Sequence, residues 1–279
     1  MKRCLTHKLF YLLLATLAAI NAVYAAEEPI TLKFETSPYG LIFTDIEANG
    51  KPMLAMIDIG DQQRLQIAFS TAEALVIPLE KAGFKAGDIN GNQWDVYQGT
   101  LNTLTLGQQM FSDVRFSSSR GDIEGVAEQI STDFEAVIGW GFLQDYVVEF
   151  DYRNKFIRLY EQPPQGLPPT TTLAYEDQYG PLILEVMLDD KVQRVMLDTG
   201  ASVSVFDPKL VKFGKDNEVR FNLGGETITL TGYEQDMAVL ADLEVVGILG
   251  SDLLHRYKVI INPFSHQMHF VEINKKASH

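Results

Sequence analysis

The sequence predicts an all-β protein built from two tandem repeats, and three observations lead there. Long helical periodicities are missing, while short apolar alternations bounded by Gly, Asn, Asp and Pro recur along the chain. Aligned without a gap, residues 39–60 and 179–200 match at Tyr39/Tyr179, Gly40/Gly180, Lys51/Lys191, Met56/Met196, Asp58/Asp198 and Gly60/Gly200. A second ungapped match pairs Val137-Ile138-Gly139 with Ile248-Leu249-Gly250 and continues through Leu143/Leu254, Tyr146/Tyr257 and Val148/Val259 to Glu161/Glu272. Similarity in register over both stretches makes each half a copy of one unit.

The first 25 residues stand apart from that pattern. Lys2, Arg3 and Lys8 precede a mostly apolar run over 9–20, and Val23-Tyr24-Ala25 closes it with a small-residue cleavage pattern. This reads as a bacterial secretory signal, and a retained N-terminal anchor is the alternative. The run is short for a membrane span. Cleavage after Ala25 would send the chain to the periplasm without Cys4, its one cysteine, leaving an apolar core and no disulfides to hold it. The formal charge of −14 argues against nucleic acid and anionic membrane surfaces as partners.

Residues 30–34 alternate like a half-buried strand, 39–47 form a second, and Asn49-Gly50 signals a hairpin whose returning strand ends at Asp58. In the second half, 182–188 and 192–197 flank Asp189-Asp190 and deliver Asp198 to the equivalent place. Residues 70–75 read as a short helix with a weak capping signal at Ser70, and 88–92 as a turn-rich loop. Strands are expected at 101–106 and 110–116 around Gly107, then a polar loop over 117–132 containing Gly121 and Gly125. Four prolines within 163–169 mark a linker between an N-terminal domain at 26–162 and a C-terminal domain at 170–279. The second domain carries Gly224-Gly225 as a plain turn, Thr227-Ile228-Thr229-Leu230 on a strand, and a last strand at 267–273. Short helical turns are expected after each apolar-Gly segment.

An aspartate at the inner end of an apolar strand is costly to bury unless it finds hydrogen bonds, a cation or a second carboxyl sharing its proton. Asp58 and Asp198 occur in register, so each is the other's candidate partner. Leu197-Asp198-Thr199-Gly200-Ala201-Ser202 with Ile248-Leu249-Gly250, and Ile57-Asp58-Ile59-Gly60 with Val137-Ile138-Gly139, resemble the two-lobed, pepsin-like aspartic proteases, in detail closer to their retropepsin-like bacterial relatives. The resemblance implies a bilobal pepsin-like fold of two tandem retropepsin-like β-barrel repeats. It implies an aspartic endopeptidase in which Asp58 and Asp198 activate water across the lobes, acting on an extended peptide or protein substrate. No cofactor or metal is expected, and a monomer suffices because the duplication supplies both carboxyls.

Around that dyad, Gly60 and Gly200 would let the chain turn tightly and leave room for the other lobe. Thr199 matches the family's threonine that bonds across the interface, whereas its counterpart Ile59 has no hydroxyl, so half of that reciprocal contact is missing. Asp61 and Gln62 stand where the second repeat has Ala201 and Ser202. Aimed inward, Asp61 would raise the pKa values of its neighbours. Aimed at solvent it is a polar turn residue, and that orientation is the expectation. Trp94 and Tyr97 are candidates for a substrate-covering flap, and Trp140 reads as packing under the first turn.

Ile59 and Asp61 also motivate a different class of function, a cleft that binds peptides or a periplasmic partner without cutting them. Other chemistries lack their motifs: no Gly-x-Ser-x-Gly, His-Glu-x-x-His or phosphate loop occurs. His266 and His269 would face opposite sides of a strand.

Overall fold

The computed structural model describes residues 28–87, 91–164, 171–177 and 180–273. The expected secretory signal, most of the proline-rich linker and the tip of the 88–92 loop lie outside the described residues. The first half contains β1 (Ile30–Lys33), β2 (Glu35–Thr36), β3 (Ile42–Ala48), β4 (Lys51–Asp58), β5 (Leu65–Ile67), α1 (Phe69–Ala74), β6 (Glu80–Gly87), β7 (Gln93–Leu106), β8 (Gln109–Ser119), α2 (Asp122–Ile130), β9 (Ala136–Gly139), α3 (Trp140–Leu143), β10 (Val147–Asp151) and β11 (Phe156–Tyr160). The second contains β12 (Thr171–Glu176), β13 (Leu182–Leu188), β14 (Lys191–Leu197), β15 (Val205–Phe206), β16 (Glu218–Leu223), β17 (Glu226–Thr231), β18 (Tyr233–Glu234), β19 (Val245–Leu249), α4 (Ser251–Leu254), β20 (Tyr257–Asn262) and β21 (Gln267–Glu272), with two 3-10 turns. Strands dominate, and the class is all-β. Among the described residues no helix is long and apolar enough to cross a membrane.

The two halves repeat one strand succession. The first runs β3-β4-β9-β5-β8 and the second β13-β14-β19-β15-β18. In each, the strand leading to the aspartate lies parallel to the strand ending in the apolar-Gly segment: β4 on β9, β14 on β19. Both hairpins feeding those strands turn through two residues of positive φ, Asn49 (51°) with Gly50 (76°) and Asp189 (50°) with Asp190 (59°). Such turns match the right-handed twist of paired strands, so the turn residues fix the register that brings each aspartate to its place.

A shared antiparallel layer, β1-β11-β10-β20-β21-β12, joins the halves. At its centre β10 pairs with β20, setting Val148 opposite Ile261 and Phe150 opposite Val259. Asp151 and Glu149 are buried there and both are paired: Lys258 reaches Asp151 at 3.1 Å and Glu149 at 3.3 Å, and Arg158 reaches Glu149 at 2.5 Å. Buried carboxylates require such partners. The main core runs continuously through both halves, from Leu32 and Ile57 to Leu197 and Ile261. Two satellite cores occupy equivalent places, one around Phe43, Met56 and Val137, the other around Ile183, Met196 and Ile248.

Two sequence expectations need correction. Residues 117–132 are not a loop: β8 extends to Ser119 and α2 follows. Ile123, Val126, Ala127 and Ile130 recur at helical spacing and pack on the first satellite core, while Gly125 between them hides the amphipathic pattern. Ser70 is not a cap either, since α1 starts at Phe69 and has no side-chain cap. Instead Glu124 of α2 accepts the Ser70 N–H at 3.1 Å and its hydroxyl at 2.9 Å, placing an anion against the first turn of α1.

Candidate active site

Each aspartate leaves its strand into a turn that binds its own carboxylate. Asp58 Oδ1 accepts the Gly60 N–H at 2.8 Å and the Asp61 N–H at 3.2 Å; Asp198 Oδ1 accepts the Gly200 N–H at 2.6 Å. The neighbouring strand fixes the height of each turn. Asp58 stands in register with Gly139, and the Asp198 N–H donates to the Leu249 carbonyl at 3.0 Å.

The turns face each other. A Cβ on Gly60 would stand 2.5 Å from the Asp198 carboxyl, and one on Gly200 would stand 2.4 Å from Asp58 Oδ2. Neither glycine has a positive φ, so close approach, rather than backbone conformation, demands glycine here. The carboxyls are hydrogen-bonded to one another and lie above the usual carboxylate range. Burial is the first cause for both, and the Asp198 charge adds to it for Asp58. They titrate as a pair.

Beneath them the two repeats are tied by one hydroxyl. Thr199 is fully buried; its Oγ1 accepts the Ile59 N–H at 3.0 Å and donates to the Ile57 carbonyl at 2.9 Å. Ile59 is buried in the main core and returns no hydroxyl. The missing half of the contact is thus filled by packing.

Asp61 corrects the outward orientation read from the sequence. Its Oδ1 accepts the Gln63 N–H at 3.0 Å and its Oδ2 the Gln66 amide at 2.8 Å. The carboxyl is pushed up to about 7, by burial first and by the neighbouring Asp58 charge second. The Asp61 carbonyl also receives the Trp140 N–H at 2.7 Å, and Trp140 is core. Its carboxyl is held by Gln63 and Gln66 against the Gly139 backbone while the residue stays partly exposed, an arrangement that the turn sequence alone did not reveal.

Ser202 lies partly exposed in the second turn. The hydroxyl that stabilises that turn is Ser204, which the sequence reading passed over. Ser204 Oγ donates to Asp252 Oδ1 at 2.7 Å and accepts the Gly250 N–H at 3.1 Å. Its signal was a serine two residues beyond Ser202 and an acid in the first turn after the apolar-Gly segment.

Of the flap candidates, Tyr97 is half-buried with its ring edge-on to Phe69 of α1 at 5.2 Å, under which Arg120 stacks at 3.7 Å. Trp94 is partly exposed on β7 opposite Ala86 of β6. The Tyr97 contact ties the hairpin to α1. His269 meets Thr172 at 2.9 Å while His266 sits in the turn before β21 with Asp177 at 3.3 Å, so the two histidines part. Among the described residues no group of three or more His, Cys, Asp or Glu is arranged to hold a metal ion.

No protein-family model and no curated protein matches the chain.

Proposed function

We propose that the chain is a pepsin-like, bilobal aspartic endopeptidase, with lobes at 26–162 and 170–279 joined through 163–169. One observation carries the reading: each repeat's glycine makes room for the other repeat's carboxyl, so two acids that cannot both ionise freely share one place. In this reading Asp58 holds the shared proton and Asp198 is ionised. Water between them attacks the scissile carbonyl carbon while giving a proton to Asp198, and Asp58 gives its proton to the carbonyl oxygen. In the second step the C–N bond breaks, the proton on Asp198 passes to the leaving nitrogen, and a hydroxyl of the tetrahedral intermediate returns a proton to Asp58. Substrate is an unstructured peptide or protein segment, bound extended by a monomer in the periplasm.

The test is incubation of the purified chain, freed of its first 25 residues, with a mixed peptide library from acidic to neutral pH. Cleavage by wild type that is lost in Asp198→Asn supports the endopeptidase. Equal background in both supports the second reading, a peptide-binding cleft without catalysis, which the absent hydroxyl at Ile59 favours.

A further inference from the structure

We propose that Asp61 is a positioning residue that breaks the equivalence of the dyad and holds the shared proton on Asp58 to higher pH than two carboxyls alone would. The inference rests on the endopeptidase reading. Its geometry is one-sided: the first turn carries a carboxyl three residues after its aspartate, and the second carries Ala201 there. Asp61 is fixed inward by Gln63 and Gln66, its N–H donates to Asp58 Oδ1, and its Oδ2 lies 3.1 Å from where a Cβ on Gly139 would stand. Gly139 is the register partner of Asp58.

The groups around Asp61 leave its charge uncompensated. From β4 comes Asp58. From β5 comes the neutral amide of Gln66, and from β9 and α3 come the backbone of Gly139 and the N–H of Trp140. Arg64, on the same loop, is engaged with the Gly141 carbonyl at 3.0 Å and Asp145 at 2.7 Å. At acid pH Asp61 is neutral, and Gln66 Oε1, buried without a partner, can accept its proton once the amide turns over. As Asp61 ionises, near pH 7, its charge opposes loss of the last dyad proton. The Asp61 charge lies beside Asp58 and has no counterpart beside Asp198, so it favours keeping the shared proton of the dyad on Asp58.

The test is the pH profile of kcat/KM for peptide cleavage in wild type, Asp61→Asn, Asp61→Ser and Asp61→Glu. The neutral variants should move the alkaline limb down by about one pH unit and leave the acid limb in place, with Asp61→Glu recovering part of the shift. A purely structural role would lower activity at all pH values without moving that limb, and an unmoved limb overturns the inference. Titration of the 13C-labelled aspartate carboxyls by NMR, with Asp58→Asn for assignment, decides the matter independently of cleavage. A lower final Asp58 transition in Asp61→Asn and Asp61→Ser supports the inference, and an unchanged one overturns it. Cleavage that is absent in wild type, or that survives Asp198→Asn, sinks the endopeptidase reading alone and leaves this titration to judge Asp61.

Discussion

The hydroxyl of Thr199 takes the Ile59 N–H at 3.0 Å and reaches the Ile57 carbonyl at 2.9 Å, crossing from one repeat to the other in one direction only. Two buried backbone groups of the first turn depend on it. Thr199→Val preserves the shape and removes both bonds, which should cost about 2–4 kcal/mol, because buried unpaired N–H and C=O groups bear their full desolvation penalty. Thr199→Ser should lose well under half of that. Urea unfolding at fixed pH measures both, and a valine variant as stable as wild type would remove Thr199 from this role.

Gly60 and Gly200 should tolerate no side chain. A methyl at either position meets the opposing carboxyl at about half the normal contact distance of 4 Å or a little more. Gly60→Ala and Gly200→Ala should each destabilise by about 2 kcal/mol or more and abolish the proposed peptide cleavage, since the dyad must part to admit the methyl. Thermal melting and the library assay read the two effects. An alanine variant that melts with wild type and still cleaves would mean the turns do not face each other.

The inward Asp61 predicts a pH-dependent stability. Its folded pKa of about 7 lies above the ordinary value of 3.8, so the folded state disfavours the ionised form. The penalty is absent below pH 3.8, grows between there and pH 7, and is complete above. Asp61→Asn, whose oxygen can keep the Gln63 N–H and whose NH2 can donate to a turned Gln66 amide, should therefore be more stable than wild type at pH 8, by about 4 kcal/mol for a shift of about three pH units. At pH 3 the gain should vanish. Denaturant unfolding at both pH values checks this, and an equal difference at the two would contradict it.

Gly125 tests the helix that the sequence concealed. Nothing lies within 4 Å of its Cβ position and its φ is not positive, so Gly125→Ala should stabilise α2 by about 0.5–1 kcal/mol. A loss of stability, read as a lower melting temperature, would show that the glycine is needed there.

These cases show where the sequence was legible. Asn49-Gly50 and Asp189-Asp190 announced their hairpins because a two-residue turn of positive φ admits few residue types. The strand ends at Asp58 and Asp198 followed from the turns. The helix at Asp122–Ile130 was not legible, since its apolar stripe is interrupted by Gly125 and its packing surface is completed by Phe43 and Met56 on strands far back in the chain. Nor was Ser204, whose acceptor Asp252 lies far along the chain.

By itself the sequence determined the all-β class, the duplication and the two aspartates in register, because periodicity, turn residues and repetition are local properties written along the chain. Only the tertiary structure decided which way Asp61 points, and only there do the expected close approaches of Gly60 to Asp198, of Gly200 to Asp58 and of the Thr199 hydroxyl to the first repeat become distances. Those facts depend on what another part of the chain brings within 3 Å, and the free energy of burying a charge or an amide is set by that company rather than by its sequence neighbours.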